Sequence, residues 1–135
     1  MYIVENNLNG QLPPEIGYLV DCGRIMLENQ VRLAGPLPQT MGNMTSLYSV
    51  ALLFNGPNFG GELPSGLFQL KNVHTIHIQH NFGKQWSLPA NVQVDVDTQL
   101  ERLLLVESSF TGNIPSWIPQ LNRLQTLDLS NNKFQ

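Results

Sequence analysis

Residues 124–134 read Leu124-Gln125-Thr126-Leu127-Asp128-Leu129-Ser130-Asn131-Asn132-Lys133-Phe134. Two leucines stand two apart, and an asparagine follows the second after two polar residues. Residues two apart on a strand point to the same face, so Leu127 and Leu129 share one side of a short strand. The asparagine ends it, because its amide bonds backbone groups that the turn leaves free.

Working back along the chain, the same phrase recurs. Ile3, Leu27, Leu52, Ile78, Leu105 and Leu129 form one row, separated by 24, 25, 26, 27 and 24 residues. Ile25, Val50, Ile76, Leu103 and Leu127 stand two residues before the last five of them. Asn6, Gln30, Asn55, Asn81, Ser108 and Asn132 stand three residues after all six. A second row agrees: Pro13, Pro38, Pro64, Pro89 and Pro115, each after Leu or Ile, lie 25, 26, 25 and 26 residues apart. A fixed period in this range marks a repeat array, in which no unit buries its apolar face alone and stacking is obligatory. The spacing predicts parallel strands at 2–4, 25–27, 50–52, 76–78, 103–105 and 127–129. It also predicts a column of buried residues from Ile3 to Leu129. Ile16 with Leu19, Met41 with Met44, Leu67 with Leu70, and Ile118 with Leu121 close the core from the outer arc.

The pattern L-x-x-L-x-L-x-x-N-x-L is that of leucine-rich repeats. Leu8-Asn9-Gly10-Gln11-Leu12-Pro13, Leu33-Ala34-Gly35-Pro36-Leu37-Pro38, Phe59-Gly60-Gly61-Glu62-Leu63-Pro64 and Phe110-Thr111-Gly112-Asn113-Ile114-Pro115 narrow the resemblance. All read L/F-x-G-x-L/I-P. They resemble the plant-type repeat of receptor-like kinases, receptor-like proteins and polygalacturonase inhibitors. The resemblance implies a right-handed solenoid of α/β type. Its parallel sheet is concave, its convex arc is irregular or short-helical, and the G-x-L-P piece forms a second short strand. Residues 1–135 are then one fragment of about five and a half repeats, uncapped at both ends. They read as cut from a longer protein or as a truncated gene model. Three places depart from the pattern. The loop Asn55-Gly56-Pro57-Asn58 is two residues longer than its counterpart in the first repeat. Trp86 stands where glycine is expected. The arc Val92–Thr98 is two residues longer and lacks L-G-x-L.

Composition removes several function classes. The net charge is only −3, with 7 Lys and Arg against 10 Asp and Glu, so no basic surface exists for nucleic acid. Fourteen Asn and eleven Gln carry the polarity instead. The lone Cys22 excludes an internal disulfide, and its repeat position, shared with Leu47, Val73 and Leu124, makes it a small apolar residue. Apolar runs such as Val50–Phe54 are far short of the roughly 20 residues of a membrane span. The start Met1-Tyr2-Ile3-Val4-Glu5 has no signal-peptide form. His74, His77 and His80 lack the converging Cys or carboxylate partners of a metal centre. Asp95, Asp97 and Glu101 lack the glycine and third acid of a calcium loop. No nucleophile–base pair and no phosphate loop is spaced for catalysis, so neither an enzyme nor a cofactor is expected; a Ser/Thr kinase domain would lie outside this chain.

The expected surface is the concave face, the usual contact face of a solenoid. Its candidate residues are Met26, Glu28, Leu53, Phe54, His77, Gln79, Arg102, Leu104, Val106 and Asp128. Met26, Leu53, Phe54, Leu104 and Val106 read as an exposed apolar patch of the kind that marks contact sites. The resemblance implies a peptide or protein ligand, or a co-receptor, on this face. It also implies a setting on the extracellular side of the plasma membrane or in the cell wall, without membrane contact by this segment. The alternatives are an inhibitor module directed at a hydrolase, or a structural spacer.

Asn43-Met44-Thr45 is the one N-x-S/T sequon in the chain. It lies on the outer arc, where a glycan disturbs neither the stack nor the concave face. Protein recovered from plant cells is expected to carry an N-glycan at Asn43. Glycosidase treatment in heavy-oxygen water then converts it to labelled Asp by mass spectrometry, and unmodified Asn43 rejects the assignment.

Overall fold

A computed structural model describes all residues, 1–135. Six short strands form one parallel sheet in strictly sequential order: β1 (Tyr2–Val4), β3 (Arg24–Glu28), β5 (Ser49–Leu53), β7 (Thr75–Gln79), β9 (Arg102–Val106) and β11 (Thr126–Asp128). Alternating with them along the chain are six strands of two or three residues. β2 (Gly10–Gln11), β4 (Leu33–Gly35) and β6 (Asn58–Phe59) form one three-stranded sheet. β8 (Trp86–Ser87), β10 (Phe110–Gly112) and β12 (Lys133–Phe134) form another. The return arcs carry 3₁₀ turns at Pro14–Tyr18, Gln39–Asn43, Ser65–Phe68 and Ile118–Gln120. The chain is thus a right-handed solenoid, the hand that parallel crossovers adopt.

Period-two alternation builds the sheet. Ile25, Leu27, Val50, Leu52, Ile76, Ile78, Leu103 and Leu105 point inward and are fully buried. Their register follows the repeat, with Ile25 opposite Val50, Val50 opposite Ile76 and Ile76 opposite Leu103. Truncating any of the leucines or isoleucines among them to Ala removes roughly 2–5 kcal/mol. The expected buried column weakens at its ends. Ile3 and Leu129 are only half-buried, Leu127 is 43% exposed and Leu19 is 44% exposed. Each is covered by a neighbouring coil on one side only.

The glycine of the L/F-x-G motif has a conformational cause. Gly10 and Gly112 lie at φ +85° and +86°, and a Cβ on either would meet nothing within 4 Å. The left-handed backbone, not crowding, requires glycine there. Trp86, at the glycine position by its spacing from Pro89, is strand residue opposite Phe110. Its ring is fully buried between Phe59, 5.1 Å away edge-on, and Phe110, 6.0 Å away. Gly83 takes the positive φ of that repeat instead, at +117°.

The turn residues form a continuous hydrogen-bond ladder. The backbone N–H of Gln30 donates to Asn55 Oδ1 (3.1 Å), that of Asn55 to Asn81 Oδ1 (3.1 Å), that of Asn81 to Ser108 Oγ (3.2 Å), and that of Ser108 to Asn132 Oδ1 (3.0 Å). In return Asn55 Nδ2 donates to Leu27 O, Asn81 Nδ2 to Leu52 O and Asn132 Nδ2 to Leu105 O. Gln30 serves in the same way, reaching Ile3 O and Glu28 O. Asn81 is buried and is tied to both neighbouring coils, to Asn55 and Leu52 on one side and Ser108 on the other. Asn81→Leu strands several buried partners, each an expense of about 1–3 kcal/mol, and should lower stability in urea denaturation by about 3 kcal/mol. Asn58→Ala, at an exposed site, should stay within about 0.5 kcal/mol. Equal effects of the two would refute the structural weight given to the ladder.

Candidate functional site

The outward residues of the concave sheet line up across the strands because the register does not slip. One row runs Tyr2, Met26, Ala51, His77, Leu104, Asp128. The row beside it runs Val4, Glu28, Leu53, Gln79, Val106. Arg24, Ser49, Thr75, Arg102 and Thr126 form the row nearest the strand starts. The sheet therefore brings all ten candidate residues onto one face or its rim. It also corrects the expectation of a single apolar patch. β7 lies between β5 and β9, so His77 and Gln79 divide Met26, Leu53 and Phe54 from Leu104 and Val106. The face is two apolar halves with a polar stripe between them. Only Phe54 among the apolar five is truly exposed, at 47%; the others are half-buried.

A further row emerges from the turns. Glu5, Asn29, Phe54, His80, Glu107 and Asn131 each precede the ladder residue by one, and all have φ between +48° and +56°. Left-handed backbone is unfavourable by about 1–2 kcal/mol for residues other than glycine and asparagine. It is held here because the N–H of each of the first five bonds a carbonyl of the next coil: Glu5 to Glu28 O, Asn29 to Leu53 O, Phe54 to Gln79 O, His80 to Val106 O and Glu107 to Ser130 O. The turn throws these side chains to the rim of the sheet, where they meet one another. The Phe54 and His80 rings stack at 4.7 Å and 23°, and Phe82, itself 56% exposed, lies 5.7 Å beyond. His80 Nδ1 is 2.8 Å from Glu107 Oε2, and Asn131 Nδ2 donates to Glu107 Oε1 at 3.0 Å. The repeat phrase exposes this row as the position just before each ladder residue, but nothing in it shows that these side chains touch.

His77 Nε2 lies 2.9 Å from Gln79 Oε1, and Gln79 Nε2 lies 3.1 Å from His80 Nε2. His77, Gln79, His80, Glu107 and Asn131 thus form one chain of hydrogen bonds over three strands. His74 stands apart, its Nδ1 2.6 Å from Asn72 O, so the three histidines do not converge. No cluster of three metal-ligating side chains occurs. On the outer arc, Asp95 and Asp97 face the Lys71 ammonium at 3.8 and 3.7 Å. That cation occupies the place a calcium-loop reading would give to a metal.

Charges fix the ends of the face. The Arg24 guanidinium donates to Tyr2 Oη at 2.7 Å and lies over the Tyr48 ring at 5.3 Å. The hydrogen bond to Tyr2, and then the charge interaction with it, raise its already high pKa. The Asp128 carboxyl is held below the usual carboxylate range by hydrogen bonds from Ser130, through its side chain and its backbone N–H (3.0 Å). Asn43 lies exposed on the 3₁₀ turn Gln39–Asn43, on the opposite side of the solenoid.

The Leucine Rich Repeat family profile matches residues 123–135. Receptor-like protein 6 of Arabidopsis thaliana is 30% identical over 101 residues, which is 75% of this chain and 10% of that protein. The solved structure of PEPR1-AtPEP1 superposes with TM-score 0.77 at 26% identity, covering 99% of this chain and 18% of that one. The ectodomain of the Arabidopsis thaliana membrane receptor kinase GASSHO1/SCHENGEN3, solved in complex with CASPARIAN STRIP INTEGRITY FACTOR 2, superposes with TM-score 0.56 at 27% identity, covering 96% of this chain and 18% of that one. The chain therefore spans about a tenth to a fifth of the length of these relatives. No helix is long and apolar enough to cross a membrane.

The hydrogen-bond chain fixes two tautomers. An amide nitrogen only donates, so in its neutral form His80 Nε2 accepts from Gln79 and the ring proton sits on Nδ1, facing Glu107. Gln79 Oε1 only accepts, so His77 carries its proton on Nε2. Long-range ¹H–¹⁵N spectra at neutral pH are expected to show opposite tautomers for the two rings. The same tautomer in both would break the assigned chain.

Proposed function

We propose, from the premise that this chain belongs to the plant-type leucine-rich repeat proteins, that its concave face binds an extended peptide. The setting proposed is the extracellular recognition region of a receptor-like kinase or receptor-like protein. The solved relative GASSHO1/SCHENGEN3 carries its partner on an ectodomain of this repeat class, which supports a recognition role over a catalytic one. The extracellular placement and the Asn43 glycan rest on the same kinship.

One observation carries the reading: the polar stripe of His77 and Gln79 between two half-buried apolar patches. Adjacent strands lie roughly 4.8 Å apart, so Leu53 on β5 and Val106 on β9 are separated by about 10 Å. An extended peptide advances about 3.3 Å per residue, so that gap matches about three residues. The face thus suits a peptide crossing the strands with apolar side chains three positions apart. Its main-chain groups between them would meet His77 and Gln79. Phe54, stacked on His80 and open to solvent, offers an exposed aromatic contact at the edge of this face, and aromatic anchors dominate such interfaces. Met26 and Leu104 extend the two halves. Glu28, Arg102 and Asp128 flank them and set the charge of the ligand's ends.

Peptides selected from a random library on the immobilised chain provide the test. Phe54→Ala and Leu104→Asp should each weaken binding of the selected peptides about tenfold or more, roughly 1.4 kcal/mol per decade. Gln39→Ala, exposed on the outer arc, should leave affinity within about twofold. Equal losses at Phe54 and Gln39 would reject the concave face as the binding surface.

A further inference from the structure

The convex side of the solenoid departs furthest from its pattern in one coil. Between neighbouring arcs the backbone packs so closely that side chains are excluded. A Cβ at Gly17 would lie 2.4 Å from Thr40 O, and one at Gly42 would lie 3.0 Å from Gly66 Cα. The arcs after Pro89 and Pro115 have no such glycine, and the arc after Pro89 alone has no 3₁₀ turn, those on either side lying at Ser65–Phe68 and Ile118–Gln120. Beneath it the buried rings of Phe68 and Trp117, from the arcs on either side, meet at 4.7 Å, and Trp117 Nε1 donates to Pro89 O at 2.8 Å. Above this floor a depression of about 450 Å³ opens to solvent, within the span of roughly 300–1,000 Å³ typical of small-molecule sites.

Its walls have an unusual chemistry. Three successive arcs contribute two polar side chains each: Ser65 and Gln69, Asn91 and Gln93, Ser116 and Gln120. None of the lining residues is ionisable. Gln69 donates to Gln93 O at 3.3 Å. The side chains of the other five have no hydrogen-bond partner in the protein. A charged ligand would give up hydration here without meeting a countercharge. Amides and hydroxyls each donate and accept, as do the vicinal hydroxyls of a sugar. Buried Trp117 and Val92 supply a rigid apolar base beneath. A glutamine recurs in each of the three arcs, Gln69, Gln93 and Gln120, so the site extends along the solenoid and matches a ligand that is itself a chain of like units.

We propose that this depression is a second binding site, for a neutral oligosaccharide. It lies on the face opposite the concave sheet and stands independently of the peptide reading. The test is calorimetric titration of the intact chain with cellohexaose, xylohexaose and mannohexaose, and with trigalacturonic acid as the charged counterpart. At least one neutral hexasaccharide should bind saturably. The double substitution Gln69→Ala with Gln120→Ala should weaken it about tenfold or more, while Phe54→Ala on the concave face leaves it unchanged. Gln69 and Gln120 are both exposed, so the double variant is expected to fold, which circular dichroism checks. Failure of all three neutral sugars to bind, tighter binding of trigalacturonic acid, or undiminished affinity in the folded double variant would each overturn the proposal.

Discussion

The ladder of buried turn residues is the constraint on which the other features rest. A chain that leaves a strand by a sharp turn strands backbone N–H and carbonyl groups in the interior, and those must be paired. Asparagine meets the need because one short side chain offers an acceptor to the preceding coil's N–H and a donor to a carbonyl. Asn55, Asn81 and Asn132 do both across coils. Ser108 shows the minimum: its hydroxyl accepts from Asn81 N–H and donates to Val106 O within its own turn. Because every rung joins two coils, the ends of all strands are pinned at one level. A slip by one residue would carry the leucines out of the core.

Pinning the strand ends is also what makes a surface. With register fixed, the outward residues fall into straight rows, and the left-handed turn residue of each coil falls into a row of its own. Backbone strain at Phe54, His80 and Glu107 is compensated by cross-coil hydrogen bonds from the same residues' N–H groups. The side chains released there gain partners they would lack in isolation: ring on ring, ring nitrogen on carboxylate, amide on carboxylate. Structural order and the candidate recognition face therefore share one origin.

The convex side follows a different rule. Its arcs are held apart or together by the size of a single residue, because glycine alone permits the approach seen at Gly17 and Gly42. Where the arc of residues 89–99 departs from that rule, aromatic rings fill the interior and the exterior opens. The same substitution of bulk for glycine occurs at Trp86, where the added ring is absorbed by the column of Phe59 and Phe110 rather than by the surface. An irregular repeat is thus absorbed inward at one place and exposed outward at another.

The sequence by itself determined the solenoid, because period and alternation are local properties of the chain. The positions of Leu27, Leu52, Ile78 and Leu105, the partner-seeking role of Asn55 and Asn81, and the outward placement of His77 and Asn43 were all legible from spacing. So was the position of Trp86 relative to Pro89, though not where its ring would go. Tertiary structure alone decided which outward residues become neighbours. Leu53 and Leu104 read alike in the sequence, yet β7 sets His77 and Gln79 between their coils. The union of His80 with Glu107 and Phe54, the pairing of Asp95 and Asp97 with Lys71, and the depression above Trp117 were likewise unreadable. Such contacts join residues about 25 positions apart, and their geometry depends on how far each coil rotates and how closely its arc packs. A repeat phrase fixes the face on which a side chain stands, whereas its partners are set by the coils on either side.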